Sequence, residues 1–529
     1  MPAPVTAGVA PVSAANTAWD PGEERLVPRF AFPGKAAGPV LPPRPKTAAL
    51  EILREHWKRG RAAGNVGDLY DNRDRGHSAL APQAFPQLAR VAYAPEARAA
   101  DLDYGLADRL LFPAPTLANS STAITGGALW RSLPRAAMTE PDGTGPLRLW
   151  QNAARNQLAV YPAHRDYTPD KGDLFPANTP YLLVSRGSSG SDQPFLEAAA
   201  LILAAFRPDT KAKLVAENLI VPTVQMVFRR SLRTVTSRAD YLGGPGNPAA
   251  FAGADINAAR MVSLANAIAA DAIPPQVRLT VLEEDFGTPG VDFFGDGLAE
   301  PLFDTPAAIA RVWRSRAGRR SILVSAADTT DPNGRALAFE WRLLQGDPTK
   351  VTIAPLGDGA TARITLDWHD PFPISEDDPT VSARVDVGVF ASNGVHDSAP
   401  AILSWYCPPS ERRSYAPGPD GGPPRLVAID HAAPDRAEAY ADPLLVPRAD
   451  WRDAFETNAA GRVTGWTRSR PGRAPEDFTA DGQRIVARDP AGTPTTVEAV
   501  AYPLDRDAAG RLVVGELSTG RYLDYQPGN

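Results

Sequence analysis

The chain has 529 residues, 43% of them hydrophobic, and a formal net charge of −6. It is too long for one core, since cores stop growing at roughly 250–300 residues. It is also too acidic to form an electrostatic funnel for nucleic acid, whose binding rests on clustered Lys and Arg facing phosphates. The single cysteine, Cys407, excludes an intrachain disulfide and a zinc–thiolate cluster.

The histidines are scattered without metal-ligand spacing such as HxxxH, so neither metal nor cofactor is expected. No segment reaches the ~18 continuous apolar residues of a membrane helix. The 54 prolines are about twice the average share of ~5%, which points to long, stiffened connections on a folded scaffold. Oligomeric state is not encoded in any pattern we recognise.

Residues 1–46 are rich in Pro and Ala and read as an extended arm; the first nineteen lack the basic start and solid apolar stretch of a signal peptide. Thr47 is placed to cap a helix whose Leu50, Leu53 and Trp57 form one apolar stripe. A polar loop follows from Asp68 to Ser78, and a Ser/Thr/Asn-rich loop lies within 116–135. The clearest periodicity begins at Tyr181: a strand over 181–185, a Gly/Ser turn, and an apolar helix over 193–206. A helix over 210–218, a strand at Thr223–Phe228, a helix over 256–270 capped by Asp255 and a strand over 277–284 come next. Thr305-Pro306 reads as a helix start. Strands alternating with helices predict βαβ units and a mainly parallel sheet, an α/β domain over 47–315.

From residue 320 the texture is all-β. Asp331-Pro332-Asn333-Gly334 forms a turn before Leu337, Phe339 and Trp341, which alternate in and out, and further alternating strands follow to 408. With Asp328, Gly346-Asp347 and the closing Asn393-Gly394 and Ser398-Ala399-Pro400, this stretch resembles bacterial polycystic-kidney-disease-type and cadherin-like immunoglobulin modules. The resemblance implies a β-sandwich and an extracytoplasmic, secreted or periplasmic setting. A Pro/Gly-rich linker (409–424) leads to short alternating segments over 425–529, a β-rich C-terminal region.

Two stretches carry candidate chemistry. Asp68, Asp71 and Asp74 share a loop with Arg73 and His77. Neighbouring carboxylates push their pKa values apart, so one can act as general acid while another stays ionised, as glycosidases require. We expect Asp71, Asp74 and His77 to be catalytic and Asp68 and Arg73 to bind substrate, unless the loop is only a salt-bridge cluster. In the turn before the apolar helix, Ser188, Ser189, Ser191 and Asp192 either line a ligand at a helix N-terminus or cap that helix. Ser189 sits where a nucleophile elbow has its serine, but the last position is Ser191 rather than glycine. His164 and Arg165 are further substrate-binding candidates. Their His-Arg-Asp triplet has none of the other kinase motifs around it. Glu283-Glu284-Asp285, at a strand end, is a weaker acidic cluster.

Together these features predict a hydrolase of a carbohydrate or glycosidic substrate, small or polymeric. The alternatives are a ligand- or polysaccharide-binding surface protein without catalysis and a serine esterase or peptidase using Ser189.

Overall fold

The computed structural model describes residues 1–6, 8–32, 47–64, 67–74, 77–82, 85, 88–105, 109–124, 131–132, 134–135, 144–164, 175–374, 381–419, 422, 424–432, 445–508 and 512–526. The protein is multidomain, with an N-terminal α/β region built on a parallel sheet and a C-terminal β-rich region of antiparallel sheets. None of its described helices is long and apolar enough to cross a membrane.

The parallel sheet has six strands, β1 (Val9–Val12), β2 (Leu69–Asn72), β3 (Ala89–Tyr93), β4 (Thr116–Asn119), β5 (Gln157–Pro162) and β6 (Leu182–Ser185). They lie in the order β6-β5-β4-β2-β3-β1, and every neighbouring pair is parallel. Sheets of this kind are covered on both faces, so their strands read as near-continuous apolar runs. All four residues of β6 are buried accordingly. Strand β1 corrects the expected arm: the described residues of 1–32 include several short strands, and Val9–Val12 closes one edge of the sheet beside β3. The rest of the expected arm, 33–46, lies outside the described residues.

Helix α1 (Ala48–Lys58) starts as expected, with Leu50 N donating to Thr47 Oγ1 at 3.3 Å and Leu50 and Leu53 buried. Helix α2 (Gln193–Ala205) is largely buried, as a helix apolar on most of its faces must be. The expected strand at Thr223–Phe228 is instead part of helix α3 (Ile220–Arg230). Its Thr and Val residues favour strands, but a short apolar run fits either element when every side is buried. Arg229 Nε donates to Gln225 Oε1, one helical turn away, at 3.0 Å. Helix α4 (Ala258–Ala267) is capped by Asn257, not Asp255, through Arg260 N at 3.2 Å.

Two antiparallel sheets follow. One contains strands Thr280–Glu284, Arg319–Ser325, Thr361–Asp367 and Val351–Leu356; the other contains Pro301–Thr305, Ala308–Val312, Ala401–Tyr406, Arg384–Ser392 and Ala338–Gln345. In the second, Ala308–Val312 and Ala401–Tyr406 run parallel. Both sheets contribute to one core holding Trp313, Trp341, Trp368 and Trp405. Residues 280–312 therefore pair with the antiparallel sheets, not with the parallel one. The helix expected after Thr305-Pro306 is a hairpin: Thr305 Oγ1 accepts from Ala308 N at 3.0 Å and donates to Ala308 O at 2.9 Å, closing a turn.

The last sheet has eight antiparallel strands running from Arg412–Ala416 to Leu517–Asp524. Its first strand lies inside the expected linker. Half-buried His431 follows strand Arg425–Asp430 of this sheet, and the ion-pair network around it reaches the neighbouring sheet through Arg413. Its Nε2 is 3.5 Å from Asp453 Oδ2 and its Nδ1 is 3.7 Å from Glu411 Oε1. Glu411 also pairs with Arg413 at 2.8 Å, and Arg413 donates to the carbonyl of Ser315 at 2.6 Å. Burial pushes the imidazole pKa down, but Asp453 and Glu411 outweigh it, and the net shift is upward from 6.5. A raised pKa means that the folded state holds the proton more tightly than the unfolded chain. The stabilisation is fully present below pH 6.5 and is lost as pH rises through the higher folded value. Denaturant titrations at rising pH above 6.5 should show the native protein losing stability faster than His431→Gln. Parallel curves would contradict the role.

Candidate active site at the carboxyl edge of the parallel sheet

The register fixes where the site forms. Asn72 of β2 pairs with Asn119 of β4, Asn119 with Val160 of β5, and Pro162 of β5 with Ser185 of β6. The four chains therefore leave the sheet side by side, and the residues that follow are Arg73-Asp74, Ser120-Ser121, Ala163-His164 and the 186–192 turn. Ligands in open α/β sheets bind at this carboxyl edge.

Asp74 is 3% exposed and is the hub. Its Oδ2 accepts from Ser78 N at 2.7 Å and Ser121 Oγ at 2.9 Å, with Asn119 Nδ2 at 3.5 Å. Its Oδ1 accepts from Ser121 N at 3.0 Å and lies 3.2 Å from His77 Nδ1. The His77 side chain is 60% exposed above it. The loop is shaped by Asn72, whose Oδ1 accepts from Asp74 N at 2.8 Å and whose Nδ2 donates to Ser78 O at 3.1 Å.

Asp192 comes from the other stretch and meets this loop. Ser78 Oγ donates to its Oδ1 at 2.5 Å, and Ser121 Oγ lies 3.4 Å from the same oxygen. Ser78 and Ser121 thus each touch both carboxylates. The other oxygen, Asp192 Oδ2, is buried with no hydrogen-bond partner among the described residues. Burial raises the Asp192 pKa above 3.8; the Ser78 hydrogen bond opposes the shift, and the nearby Asp74 charge adds to it. Asp192 stands at the N-cap position of α2 but makes no side-chain capping bond, so its carboxyl serves the cluster and not the helix. Gln193 fastens the two stretches together, accepting from Ala79 N at 2.9 Å and donating to Ala79 O at 3.2 Å.

The other expected site residues divide. Asp71 is fully buried, one oxygen accepting from Arg73 Nε at 2.6 Å and the other from Tyr93 OH at 2.7 Å. Both members of the Asp71–Arg73 pair are thereby engaged with each other beneath the edge. Asp68 lies just before β2, at the opposite end from the cluster, where it takes a 2.6 Å hydrogen bond from Lys211 Nζ. His164 is buried at the edge, with a left-handed φ of 52°, and Arg165 lies outside the described residues. Ser188 and Ser189 are exposed on the turn, and Ser191 Oγ is 2.7 Å from Ser185 Oγ. Among the described residues no histidine bonds Ser189. Glu284 is buried in an antiparallel sheet, paired with Arg311 at 2.8 Å, and faces no parallel-sheet edge. Asn119, Ser120 and Ser121 were not singled out as site residues; their signal was the density of small polar side chains after a strand.

The turn depends on Gly187. Its φ is +146°, and a Cβ there would stand 2.7 Å from Ser191 Cβ. Gly187→Ala should cost about 1–3 kcal/mol, measured as a loss in the stability of the α/β region, and should move Asp192 with the turn. An unchanged melting profile would refute this.

Among the described residues, no group of three or more His, Cys, Asp or Glu side chains is arranged to hold a metal ion. No protein-family model matches the chain, and no curated protein matches it. Among solved structures it is similar to a nucleoside hydrolase-related hypothetical protein from Saccharophagus degradans that is associated with carbohydrate metabolism. The two share 8% identity with a TM-score of 0.21, over 65% of this chain and 100% of that one. That score is too low to define a shared fold.

Proposed function

We propose that the protein is a hydrolase of glycosidic bonds that works with Asp192 as general acid and Asp74 as its ionised partner. The observation that carries this reading is the Asp192 carboxyl: buried, raised in pKa beside Asp74, and with one oxygen free of any partner among the described residues. A neutral carboxylic acid of this kind can protonate a departing sugar oxygen as its C–O bond breaks. His77 supplies the base. With Nδ1–H donated to Asp74, its exposed ring leaves the Nε2 lone pair free to take a proton from the attacking water. The hydroxyl adds to the anomeric carbon, and the leaving group departs with the Asp192 proton. Exchange with solvent then returns His77 and Asp192 to their starting states. Asp71 and Asp68 take structural roles in this reading. Ser189 is exposed and no histidine bonds it among the described residues, which disfavours an esterase.

The similarity of residues 320–408 to immunoglobulin-like modules accords with an extracytoplasmic location. The turn ahead of buried Trp341 and the core shared by the two sheets support that similarity. A panel of aryl glycosides is the test. The wild type should release aglycone from at least one, and Asp74→Asn and His77→Ala should lose that activity while folding normally. Full activity in both variants would overturn the assignment.

A further inference from the structure

The eight-stranded sheet holds a cavity, built from a part of the chain far from the Asp74–Asp192 cluster. It measures about 450 Å³, inside the ~300–1,000 Å³ range of small-molecule sites. Its wall gathers Arg448, Asp450, Trp451, Arg470, Arg473 and Glu516. They come from where the chain enters strand Arg452–Thr457, leaves strand Val463–Ser469 and enters strand Leu517–Asp524.

The inner part of this wall is fixed. Arg470 Nη2 lies 2.7 Å from Glu516, its Nη1 3.0 Å from Glu476 and its Nε 3.4 Å from Asp450. Its guanidinium stands 4.9 Å from the centre of the Trp451 ring, and that of Arg468 stands 4.2 Å from it. Trp451 is therefore held rigidly at 2% exposure, yet its indole N–H has no acceptor among the described residues. Leaving a buried donor unmatched costs about 1–3 kcal/mol. The outer part is open to a ligand: Arg473 is exposed, no described side chain pairs with it, and the Asp450 side chain is 74% exposed.

This combination selects a chemistry. An unpaired arginine fork binds a carboxylate through two parallel hydrogen bonds. The Asp450 carboxylate accepts from hydroxyls, and the apolar Val513 and Val514 in the same wall suit the C–H face of a ring. Inorganic phosphate would satisfy the fork but would bring its charge against Asp450 and Glu516. A neutral sugar would satisfy the acids and leave the fork empty. We propose that this cavity binds an acidic sugar, a hexuronate unit, with its carboxylate on Arg473 and its hydroxyls on Asp450. The site does not depend on the hydrolase reading, since it shares no residue with the Asp74–Asp192 cluster.

Titration calorimetry on the full chain tests it with glucuronate, galacturonate, glucose and inorganic phosphate. We expect saturable binding of at least one uronate, at least tenfold weaker binding in Arg473→Ala at an unchanged melting temperature, and no comparable binding of glucose. Asp192→Asn should bind uronate as the wild type does, so a failed hydrolase assignment leaves this result standing. Absence of uronate binding, equal affinity for glucose, tighter binding of phosphate, or an unaffected Arg473→Ala would each overturn the proposal.

Discussion

Asp192→Asn should lower kcat by about 10²–10⁴-fold, the contribution expected of a positioned general acid, with a much smaller effect on KM. The same change should leave the protein as stable as the wild type near neutral pH, or more so. A carboxyl whose folded pKa lies above 3.8 binds its proton more tightly in the folded state. Stability is therefore lost as pH rises from 3.8 through the folded value, and above that window the wild type carries the cost of an ionised, buried Asp192. Asparagine matches the neutral acid in shape and bears no such cost. Ser78 Oγ keeps an acceptor in the amide oxygen, so the 2.5 Å contact has a replacement. A loss of activity combined with retained stability separates catalysis from structure. A variant that is equally active, or inactive only because it is unfolded, contradicts the role given to Asp192.

Lys211→Met should have the largest effect on folding among the changes considered, about 3–5 kcal/mol, the cost of stranding one member of a buried ion pair. Lys211 and Asp68 have side chains 8% and 2% exposed, 2.6 Å apart. Lys211 Nζ also donates to Gly64 O at 2.7 Å, tying the segment before β2 to the helix that carries Lys211. Burial is already the dominant influence on Asp68 and raises its pKa; the lysine acts against it. Removing the lysine leaves an uncompensated carboxylate at the amino end of β2. Adding Asp68→Asn to Lys211→Met should recover a substantial part of the loss, because the stranded charge is gone; the double-mutant cycle measures that coupling directly. Additive destabilisation of the two single changes would mean that the pair is not coupled. Denaturant unfolding followed in the α/β region is the measurement. Activity of the Asp68→Asn variant should persist in proportion to its folded fraction, since Asp68 is at the wrong end of the strand for chemistry.

What the sequence disclosed follows from how locally each feature is determined. The Thr47 cap, β6 and α2 were legible because capping and apolar runs act over a few residues. The strand reading at Thr223–Phe228 failed because full burial erases the difference between a strand and a helix period. The helix at Thr305 failed because a threonine-proline pair starts a helix or closes a hairpin equally well, and only the pairing with Ala401–Tyr406 decides between them. At the site, both polar stretches were visible, but Asp71 and Asp74 looked alike. They are three residues apart, and β2 ends between them. That end turns Asp71 under the sheet against Arg73 and Tyr93, and delivers Asp74 to the edge. Asp192 read equally well as a helix cap. Its true partner, Ser78, is 114 positions away in the chain, a distance at which only the assembled sheet brings groups together.

The protonation state of Asp192 tests the account most directly, and it requires no substrate. Infrared difference spectra between the wild type and Asp192→Asn, recorded across pH, isolate the carboxyl vibration of that one residue. The account predicts a protonated carboxylic acid band that persists above pH 3.8 and gives way to the carboxylate at a distinctly higher midpoint. In Asp74→Asn the midpoint should move down part of the way, because burial still holds it up but the neighbouring charge is gone. A carboxylate band already present at pH 3.8, with no change on removing the Asp74 charge, would contradict it.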